Sequence, residues 1–342
     1  MKIAVVASPV TPLRSAQLGG AQAFVSDLAV GLAARGHDVT LHCVAGSDVT
    51  GVRLVTVPAP RDAEVALVMP GGAEPPPAPG VAAALHAMFE SIPTGVDVIS
   101  QHAFDAPAFG LAAGRPVLHT LHLPPIVRDV VNAARAVAPS QLAAVSQASA
   151  ASWKVAGVEV GEVLLNGVPD QEVNLDEFDR VALIAGRISP EKGIEHAIAA
   201  AREVGLPVRL AGAHYDPGYA PNLEGVDQLG ALPREELRRL MAASAVTICA
   251  VRWDEPFGMV AAEAQMAGCP VAAYRRGAMP EVVEDGVSGV LAEPDDVDSL
   301  ARAIAGCVEL DRKTVRQSAW RRLRMDKALD RYEVALQRCA QR

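Results

Sequence analysis

VALIAGRISPEKGIEHAIAAAREV, residues 181–204, contains the pattern that decides the fold. Its first five residues are apolar, which predicts a buried strand over Val181–Ala185. A glycine turn follows, and we expect a helix over Glu191–Val204 with Ser189 as its N-cap and Pro190 at its first position. A strand that leads through a tight turn into a helix is the repeating unit of a parallel α/β sheet.

The same unit opens the chain. Lys2–Ser8 predicts a strand, Gly20–Arg35 predicts a helix that ends before Gly36, and Val39–Ala45 predicts the next strand. The remaining strands are predicted at Val96–Ser100, Val117–Leu121, Val208–Ala211, Val246–Ala250 and Val271–Ala273. The alternation stops and restarts at Leu164–Phe178, which is rich in turn residues and acids. We therefore predict an α/β protein with two Rossmann-like domains, at 1–166 and 167–315.

The C-terminal segment 316–342 is basic and amphipathic. From residue 312 onward the chain carries ten basic and three acidic residues. Apolar side chains recur there at helical spacing, at Trp320, Leu323, Leu329, Tyr332 and Leu336. We interpret it as a helix that docks on acidic protein surface; the alternative is a helix that lies on a membrane surface.

Composition excludes several classes of protein. The chain has 342 residues, half of them hydrophobic, and a formal net charge of −9. Its acidic balance and 4% aromatic content exclude a nucleic-acid partner. Five scattered cysteines, with no metal-ligand spacing, indicate a reduced cytoplasmic protein without structural zinc. The absence of a signal peptide and of an 18-residue apolar run agrees with that interpretation.

Ligands of an open parallel sheet bind at the carboxyl ends of its strands. Arg187 follows the strand Val181–Ala185, and Lys192 lies in the first turn of the predicted helix, where the helix dipole disfavours a cation by up to about 1 kcal/mol. Two cations at this place indicate an anion between them, and a diphosphate would accept hydrogen bonds from both. The alternative is a solvated surface pair.

The segment after Val246–Ala250 offers carboxylates. Glu255 lies in a loop, and Glu263 lies in a nearly apolar helix predicted over Phe257–Ala267. A buried carboxylate needs a partner, and either a ribose diol or a structural arginine would satisfy Glu263. Glu255 is suited to sugar hydroxyls. The helix start offers backbone N–H groups to phosphate at Gly258, Met259 and Val260.

The first domain offers weaker candidates. Gly19 and Gly20 open the first helix and allow a phosphate or sugar to approach the backbone, or they form a plain turn. His122 ends the strand Val117–Leu121 and can bind a substrate hydroxyl, or it is a satisfied histidine at a sheet edge. His119 lies within that strand and is interpreted as structural. His102 follows the strand Val96–Ser100 and is a candidate of intermediate strength, between the structural interpretation of His119 and the binding interpretation of His122. The dinucleotide fingerprint GxGxxG is missing, which argues against a nicotinamide-dependent oxidoreductase.

Taken together, these motifs resemble those of family 4 retaining glycosyltransferases of the GT-B fold. The similar segments are GGAQAFVSDLAVGLAARGHDVTL (19–41), His122, LLNGV (164–168), GRISPEKG (186–193), EPFGMVAAEAQMAGCPV (255–271) and PEVVEDGVSGVL (280–291). The resemblance implies two Rossmann-like domains that face a central cleft, with a C-terminal helix that crosses back to the first domain. The chain also resembles the actinomycete glycosyltransferases of oligosaccharide-antibiotic assembly, such as avilamycin formation.

The resemblance also implies roles for the candidate residues. Arg187 and Lys192 would hold the diphosphate of a nucleotide-diphosphate sugar, Glu263 its ribose and Glu255 its sugar. His122 would contact the sugar, and the glycines at 19 and 20 would approach phosphate and acceptor. The family often has other residues where this chain has Gln22, Leu123 and Ala278. Because the resemblance places these positions beside the acceptor or the donor sugar, the differences bear on the choice of substrates rather than on the reaction type.

The expected reaction moves a sugar to an acceptor hydroxyl with retention of anomeric configuration. No DxD-type carboxylate pair is present, so we expect no metal requirement and no cofactor beyond the donor itself. Two alternatives remain on the same fold: a nucleotide-sugar epimerase and a non-catalytic protein that binds nucleotide sugars.

Overall fold

The computed structural model describes residues 1–14, 20–64, 77–170, 172–214 and 218–341. The chain forms two compact units. The first takes in the N-terminal strand, Ala21–Leu165 and Met325–Arg342, and the second takes in Asn166–Arg324. The second unit thus extends to Arg324 rather than to residue 315.

The first unit contains a parallel sheet with the strand order β3-β2-β1-β4-β5-β6-β7 in its described part. Its strands are β1 (Lys2–Val6), β2 (Asp38–Val44), β3 (Arg53–Val57), β4 (Val98–Gln101), β5 (Val117–Leu121), β6 (Leu142–Ala144) and β7 (Glu162–Val163). The order reverses direction at β1, which pairs with β2 on one side and β4 on the other. This reversal is where a doubly wound sheet opens a crevice at its carboxyl edge.

Helices cover this sheet. They are α1 (Gly20–Ala34), α2 (Pro79–Glu90), α3 (Ala106–Leu111), α4 (Arg128–Arg135) and α5 (Gln147–Val155). The central strand β1 is apolar and buried from Ile3 to Val6, because both faces of a parallel sheet are covered. The core continues into α1, where Phe24, Leu28 and Leu32 are fully buried on one face, as their helical spacing predicts.

The second unit repeats the arrangement, with the strand order β10-β9-β8-β11-β12-β13. Its strands are β8 (Asp179–Ala185), β9 (Val208–Ala211), β10 (Val226–Gly230), β11 (Ser244–Cys249), β12 (Val271–Tyr274) and β13 (Gly289–Ala292). Its helices are α6 (Ile194–Glu203), α7 (Arg234–Ala242), α8 (Met259–Met266), α9 (Met279–Val282), α10 (Val297–Val308) and α11 (Arg312–Leu323). Two parallel, Rossmann-like sheets confirm the predicted α/β class.

The C-terminal segment is two helices rather than one. The backbone at Arg324 is extended, and it separates α11 from α12 (Met325–Ala340). The helical register therefore does not continue across the break, and Trp320 is 45% exposed instead of sharing the apolar face. In the first unit, the side chain of Leu329 on α12 fills the space above Gly31 of α1, where a Cβ atom would lie 2.7 Å from it.

Polar contacts also hold α12 to the segment that follows α1. Arg35, the residue after α1, forms ion pairs with Asp330 at 2.8 Å and Glu333 at 2.7 Å, and His37 lies 2.9 Å from Glu333. The partners of this helix are thus both apolar and charged. Within the described residues, no helix is long and apolar enough to cross a membrane.

Candidate active site

Arg187 lies at the carboxyl end of β8, as predicted. Gly186 precedes it with a φ of 122°, a conformation that glycine adopts without strain. The Arg187 guanidinium contacts Glu191 Oε1 at 3.2 Å, and the Ser189 hydroxyl donates to the same oxygen at 2.6 Å. Ser189 therefore holds a carboxylate and does not cap a helix with its side chain.

Lys192 lies in a short 3₁₀ turn, Pro190–Lys192, and not in the first turn of an α-helix. The expected helix over Glu191–Val204 was wrong at its start, because Gly193 adopts a left-handed φ of 62° and α6 begins after it. A Cβ atom at Gly193 would lie 2.0 Å from the carbonyl oxygen of Ala250, which follows β11. Glycine thus lets the Lys192 turn pack directly on the end of the neighbouring strand.

Lys192 and Glu255 form the centre of the charged edge of the second unit. Lys192 Nζ donates to Glu255 Oε2 at 2.7 Å, and the indole N–H of Trp253 donates to the same oxygen at 2.7 Å. Lys192 Nζ also lies 5.4 Å from the centre of the Trp253 ring, within reach of a cation–π contact. Burial opposes the ionisation of Glu255, but Lys192 and the Trp253 N–H outweigh it, and the pKa of Glu255 is lowered.

The loop that carries Glu255 is fixed by glycine at a neighbouring turn. A Cβ atom at Gly277 would lie 2.5 Å from the backbone N and O of Glu255, and the N–H of Ala278 donates to the Glu255 carbonyl at 2.9 Å. The turn after β12 therefore holds the backbone of the Glu255 loop.

The next helix is shorter than predicted. It covers Met259–Met266 instead of Phe257–Ala267, because Gly258 has a φ of 95° and stands before it as the N-cap. Met259 and Val260 are then the first two helical residues, where backbone N–H groups lack intrahelical partners. Gly258, Met259 and Val260 thus form the start of a helix, as predicted. The first helical residue is Met259, two residues after the expected Phe257.

Glu263 is buried on this helix and has arginine partners. Its Oε1 atom contacts Arg234 at 2.8 Å and Arg238 at 3.5 Å, and both arginines lie on α7. The structure thus shows the arginine partners that the alternative named, and the ribose role of Glu263 stays a prediction. Sequence reasoning favoured the ribose over the arginine, since α7 and α8 are adjacent only in the fold.

His122 lies at the carboxyl edge of the first sheet, directly after β5. Its Nε2 atom is 2.9 Å from Nδ1 of His102, and Nε2 of His102 is 2.8 Å from the Ser100 hydroxyl. Burial lowers the pKa of His122 to about 4, and burial together with His122 lowers the pKa of His102 well below its usual value. Both rings are therefore neutral at pH 7.

The other first-unit candidates differ in placement. His119 is buried within β5, and its ring stacks on Phe109 at 4.8 Å, which agrees with a structural role. Gly20 is the first residue of α1. Gly19 lies outside the described residues.

Sequence reasoning missed three of the residues that shape these edges. Trp253, Glu191 and Ser100 hold Glu255, Arg187 and His102, respectively. The sequence contains a signal for one of them, since Glu191 lies four residues after Arg187, a spacing that allows the two side chains to form an ion pair. Among the described residues, no group of three or more His, Cys, Asp or Glu side chains is arranged to hold a metal ion.

Comparison with known protein families matches both units. Residues 18–172 match the model described as Glycosyltransferase Family 4, and residues 169–319 match the model described as Glycosyl transferases group 1. The two matches overlap at residues 169–172, a few residues after the boundary between the compact units at Leu165 and Asn166.

Curated relatives match over part of their length. A D-inositol 3-phosphate glycosyltransferase of Mycobacterium sp. (strain KMS) is 34% identical over 160 residues, which cover 43% of this chain and 36% of the relative. An alpha-maltose-1-phosphate synthase of Mycolicibacterium smegmatis is 32% identical over 145 residues, which cover 38% of this chain and 37% of the relative. The chain thus spans about a third of the length of the curated relatives it matches.

Solved structures match over nearly the whole chain. AviGT4, a glycosyltransferase involved in avilamycin A biosynthesis, has a TM-score of 0.74 at 24% identity, covering 99% of this chain and 98% of that one. Alr3699/HepE of Anabaena, solved in complex with UDP-glucose, has a TM-score of 0.75 at 23% identity, covering 99% and 100%. These similarities show the GT-B fold.

Proposed function

Because this chain joins a family 4 glycosyltransferase domain to a group 1 glycosyltransferase domain, we propose that it transfers a sugar from a nucleotide-diphosphate sugar to an acceptor hydroxyl. Transfer proceeds with retention of the anomeric configuration. The second domain binds the donor, and no resident cofactor takes part.

The observation that carries the proposal is the pairing of Lys192 with Glu255 at the carboxyl edge of the second sheet. The edge presents cations, which suit a diphosphate, beside a carboxylate, which suits sugar hydroxyls. In this structure each cation already has a carboxylate partner, Glu255 for Lys192 and Glu191 for Arg187. A bound diphosphate takes the cations as its own partners, and Glu255 then accepts hydrogen bonds from the sugar.

The main role of the side chains in the reaction is electrostatic. The bond between the anomeric carbon and the diphosphate oxygen breaks, and negative charge grows on that oxygen, where Arg187 and Lys192 stabilise it. The acceptor hydroxyl attacks from the same face and gives its proton to the departing phosphate. No side-chain nucleophile is needed, and Cys249, which ends β11, is an inert thiol because burial raises its pKa to about 12.

Two similarities support the finer parts of the proposal. The Anabaena relative by fold is solved with UDP and with UDP-glucose, which supports a uridine diphosphate sugar as the first donor to test. AviGT4 acts in avilamycin A biosynthesis, which supports an oligosaccharide or secondary-metabolite acceptor. We extend both points to this chain only as the choice of donors and acceptors to be assayed.

The test begins with binding. Thermal unfolding is measured with a panel of nucleoside diphosphates and their sugars, and a ligand at 100 times its Kd raises the free energy of unfolding by about 2.7 kcal/mol. The binding donor is then incubated with and without acceptors, and released nucleoside diphosphate and the anomeric configuration of the product are followed by NMR.

Each outcome of this test separates the candidates. Retained configuration in a new glycoside supports the proposal, and transfer that persists with excess chelator supports its metal-independent form. An epimerised donor without acceptor identifies an epimerase instead. Donor binding without any release of nucleoside diphosphate, across the acceptor panel, identifies a binding protein.

A further inference from the structure

A chain of three polar side chains runs along the carboxyl edge of the first sheet. It begins at Ser100 in β4, passes through His102, and ends at His122 after the neighbouring strand β5, with contacts of 2.8 and 2.9 Å. All three residues are buried, with 0%, 4% and 7% of their surface exposed. At such depth each polar hydrogen needs an acceptor.

The tautomers of His102 and His122 depend on each other, because the two rings share one contact. A neutral imidazole has one N–H donor and one acceptor nitrogen, so the contact between His102 Nδ1 and His122 Nε2 contains a single hydrogen. That hydrogen belongs either to His102 or to His122. The choice fixes the opposite nitrogen of His122, because one tautomer leaves Nδ1–H as a donor and the other leaves Nδ1 as an acceptor.

Ser100 decides between the two arrangements. If His122 donates, His102 has to donate from Nε2 to the serine oxygen, and the serine O–H then needs another acceptor. In the described part of the chain, the Ser100 side chain has no hydrogen-bond partner except His102. If instead the serine O–H donates to His102 Nε2, His102 Nδ1–H donates to His122 Nε2, and every hydrogen in the chain of contacts has an acceptor.

We infer that His102 is a positioning residue that fixes His122 as an Nδ1–H donor, with Ser100 setting the direction. Its use in catalysis rests on the proposed function: the substrate group opposite His122 is then a hydrogen-bond acceptor, such as a sugar hydroxyl oxygen. In the described residues, His122 Nδ1 makes no hydrogen bond of its own, so this donor remains available to a ligand.

The aromatic side chains around the pair keep the rings in place. The Phe24 ring of α1 lies 6.0 Å from His122, and the Tyr332 ring of α12 lies 6.0 Å from His102. Tyr332 is itself fully buried, and its hydroxyl lies 3.3 Å from Thr120 Oγ1 in β5. The C-terminal helix α12 thus packs on the ring of His102 through Tyr332.

The experiment reads the tautomer directly in the full chain. Long-range ¹H–¹⁵N spectra of ¹⁵N-histidine-labelled protein at pH 7.5 distinguish protonated from unprotonated ring nitrogens, and the His122 signals are assigned by their loss in His122→Gln. We expect His122 to show a protonated Nδ1 and an unprotonated Nε2. A protonated Nε2 in the wild-type protein overturns the inference, whatever its activity.

Variants test the cause. In His102→Leu we expect His122 to lose its fixed tautomer and kcat to fall about 10- to 100-fold with little change in KM. His102→Asn restores an N–H donor near Nδ1 and should recover most of both properties. His119→Leu, which alters a buried histidine of the same strand, is the matched control and should leave the His122 signals in place.

The remaining outcomes separate this inference from the proposed function. Unchanged His122 signals in His102→Leu refute the positioning role even if the enzyme transfers sugar. A fixed Nδ1–H tautomer that collapses in His102→Leu supports the positioning role even if the wild-type protein transfers no sugar, in which case the proposed function is the part that fails.

Discussion

At the carboxyl edge of the second sheet, Lys192 and Glu255 lie 2.7 Å apart as opposite charges, whereas at the same edge of the first sheet His102 and His122 lie 2.9 Å apart as neutral rings. The two sheets share the Rossmann-like strand order up to their sixth strand. The same topology therefore carries two kinds of polar site. One edge carries paired opposite charges, and the other carries two neutral rings joined by a hydrogen bond.

The difference follows from exposure. The side chains of Lys192 and Glu255 are 20% and 14% exposed, so their charges keep some hydration while they pair. The histidine pair is buried more deeply, and burial removes the charged form of each ring. The edge of the second sheet thus keeps charged side chains, whereas the edge of the first sheet keeps neutral rings that interact through hydrogen bonds.

The largest expected effect breaks the charged edge. In the proposed function Lys192 stabilises the departing diphosphate, so for Lys192→Ala we expect kcat to fall about 10²- to 10³-fold at saturating donor, or about 2.7–4 kcal/mol. The control is Lys313→Ala, because Lys313 is 68% exposed and pairs with Asp176 elsewhere in the same unit. Near-normal turnover of both Lys192→Ala and Arg187→Ala would refute the diphosphate assignment.

The next effect concerns the backbone beneath that edge. Gly193→Ala places a methyl group 2.0 Å from the Ala250 carbonyl in a left-handed conformation, and we expect a loss of about 3 kcal/mol of unfolding free energy. Gly114→Ala also has a positive φ, 77°, but no atom within 4 Å, and should cost about 1 kcal/mol. Urea denaturation measures both, and equal losses would show that the close contact is unimportant.

A third effect, followed through pH, tests the burial of the histidines in the first unit. Burial lowers the pKa of His42, His119 and His122 to about 4. Between pH 6.5 and 4 the unfolded chain therefore binds more protons, so stability is lost as pH falls through this window, by about 1.4 kcal/mol per histidine and pH unit. Asp105, whose pKa burial raises to about 6, acts in the opposite direction, but it is a single group.

His119→Leu isolates one of these contributions. His119 Nδ1 has no hydrogen-bond partner in the described residues, so replacing it should cost little at pH 7. The free energy of unfolding is measured by denaturation at pH 7 and at pH 5.5. Its decrease between these pH values should be smaller in His119→Leu than in the wild-type protein, by up to about 1.4 kcal/mol. An unchanged pH dependence would mean that His119 is protonated in the folded state.

The smallest effect tests how Glu255 is held. Trp253→Phe keeps an aromatic ring near Lys192 but removes the N–H that donates to Glu255 at 2.7 Å. We expect kcat to fall about fivefold, which corresponds to about 1 kcal/mol for one hydrogen bond at a partly exposed site. Trp320→Phe, at an exposed tryptophan on α11, is the control. A loss as large as that of Lys192→Ala would make Trp253 part of the binding machinery itself.

Much of the fold was predictable because strands of a parallel sheet are mostly apolar. Val117–Leu121 and Val208–Ala211 have the predicted bounds, and the other predicted strands differ by a few residues. Short or polar strands such as Arg53–Val57 and Val226–Gly230 were missed, since half-exposed edge strands lack that apolar signal. The helix starts failed at Gly193 and Gly258, where a positive φ depends on neighbours that the local sequence does not reveal.

The sequence by itself determined the α/β class and which polar residues follow which strands, because apolar periodicity and turn chemistry are local properties of the chain. Only the tertiary structure decided their partners: Lys192 with Glu255, Glu263 with Arg234, and His102 with His122. Each pair joins residues 20 to 63 positions apart. Such pairs form because parallel strands bring their carboxyl ends to one edge, and burial there makes every charge and N–H find a partner.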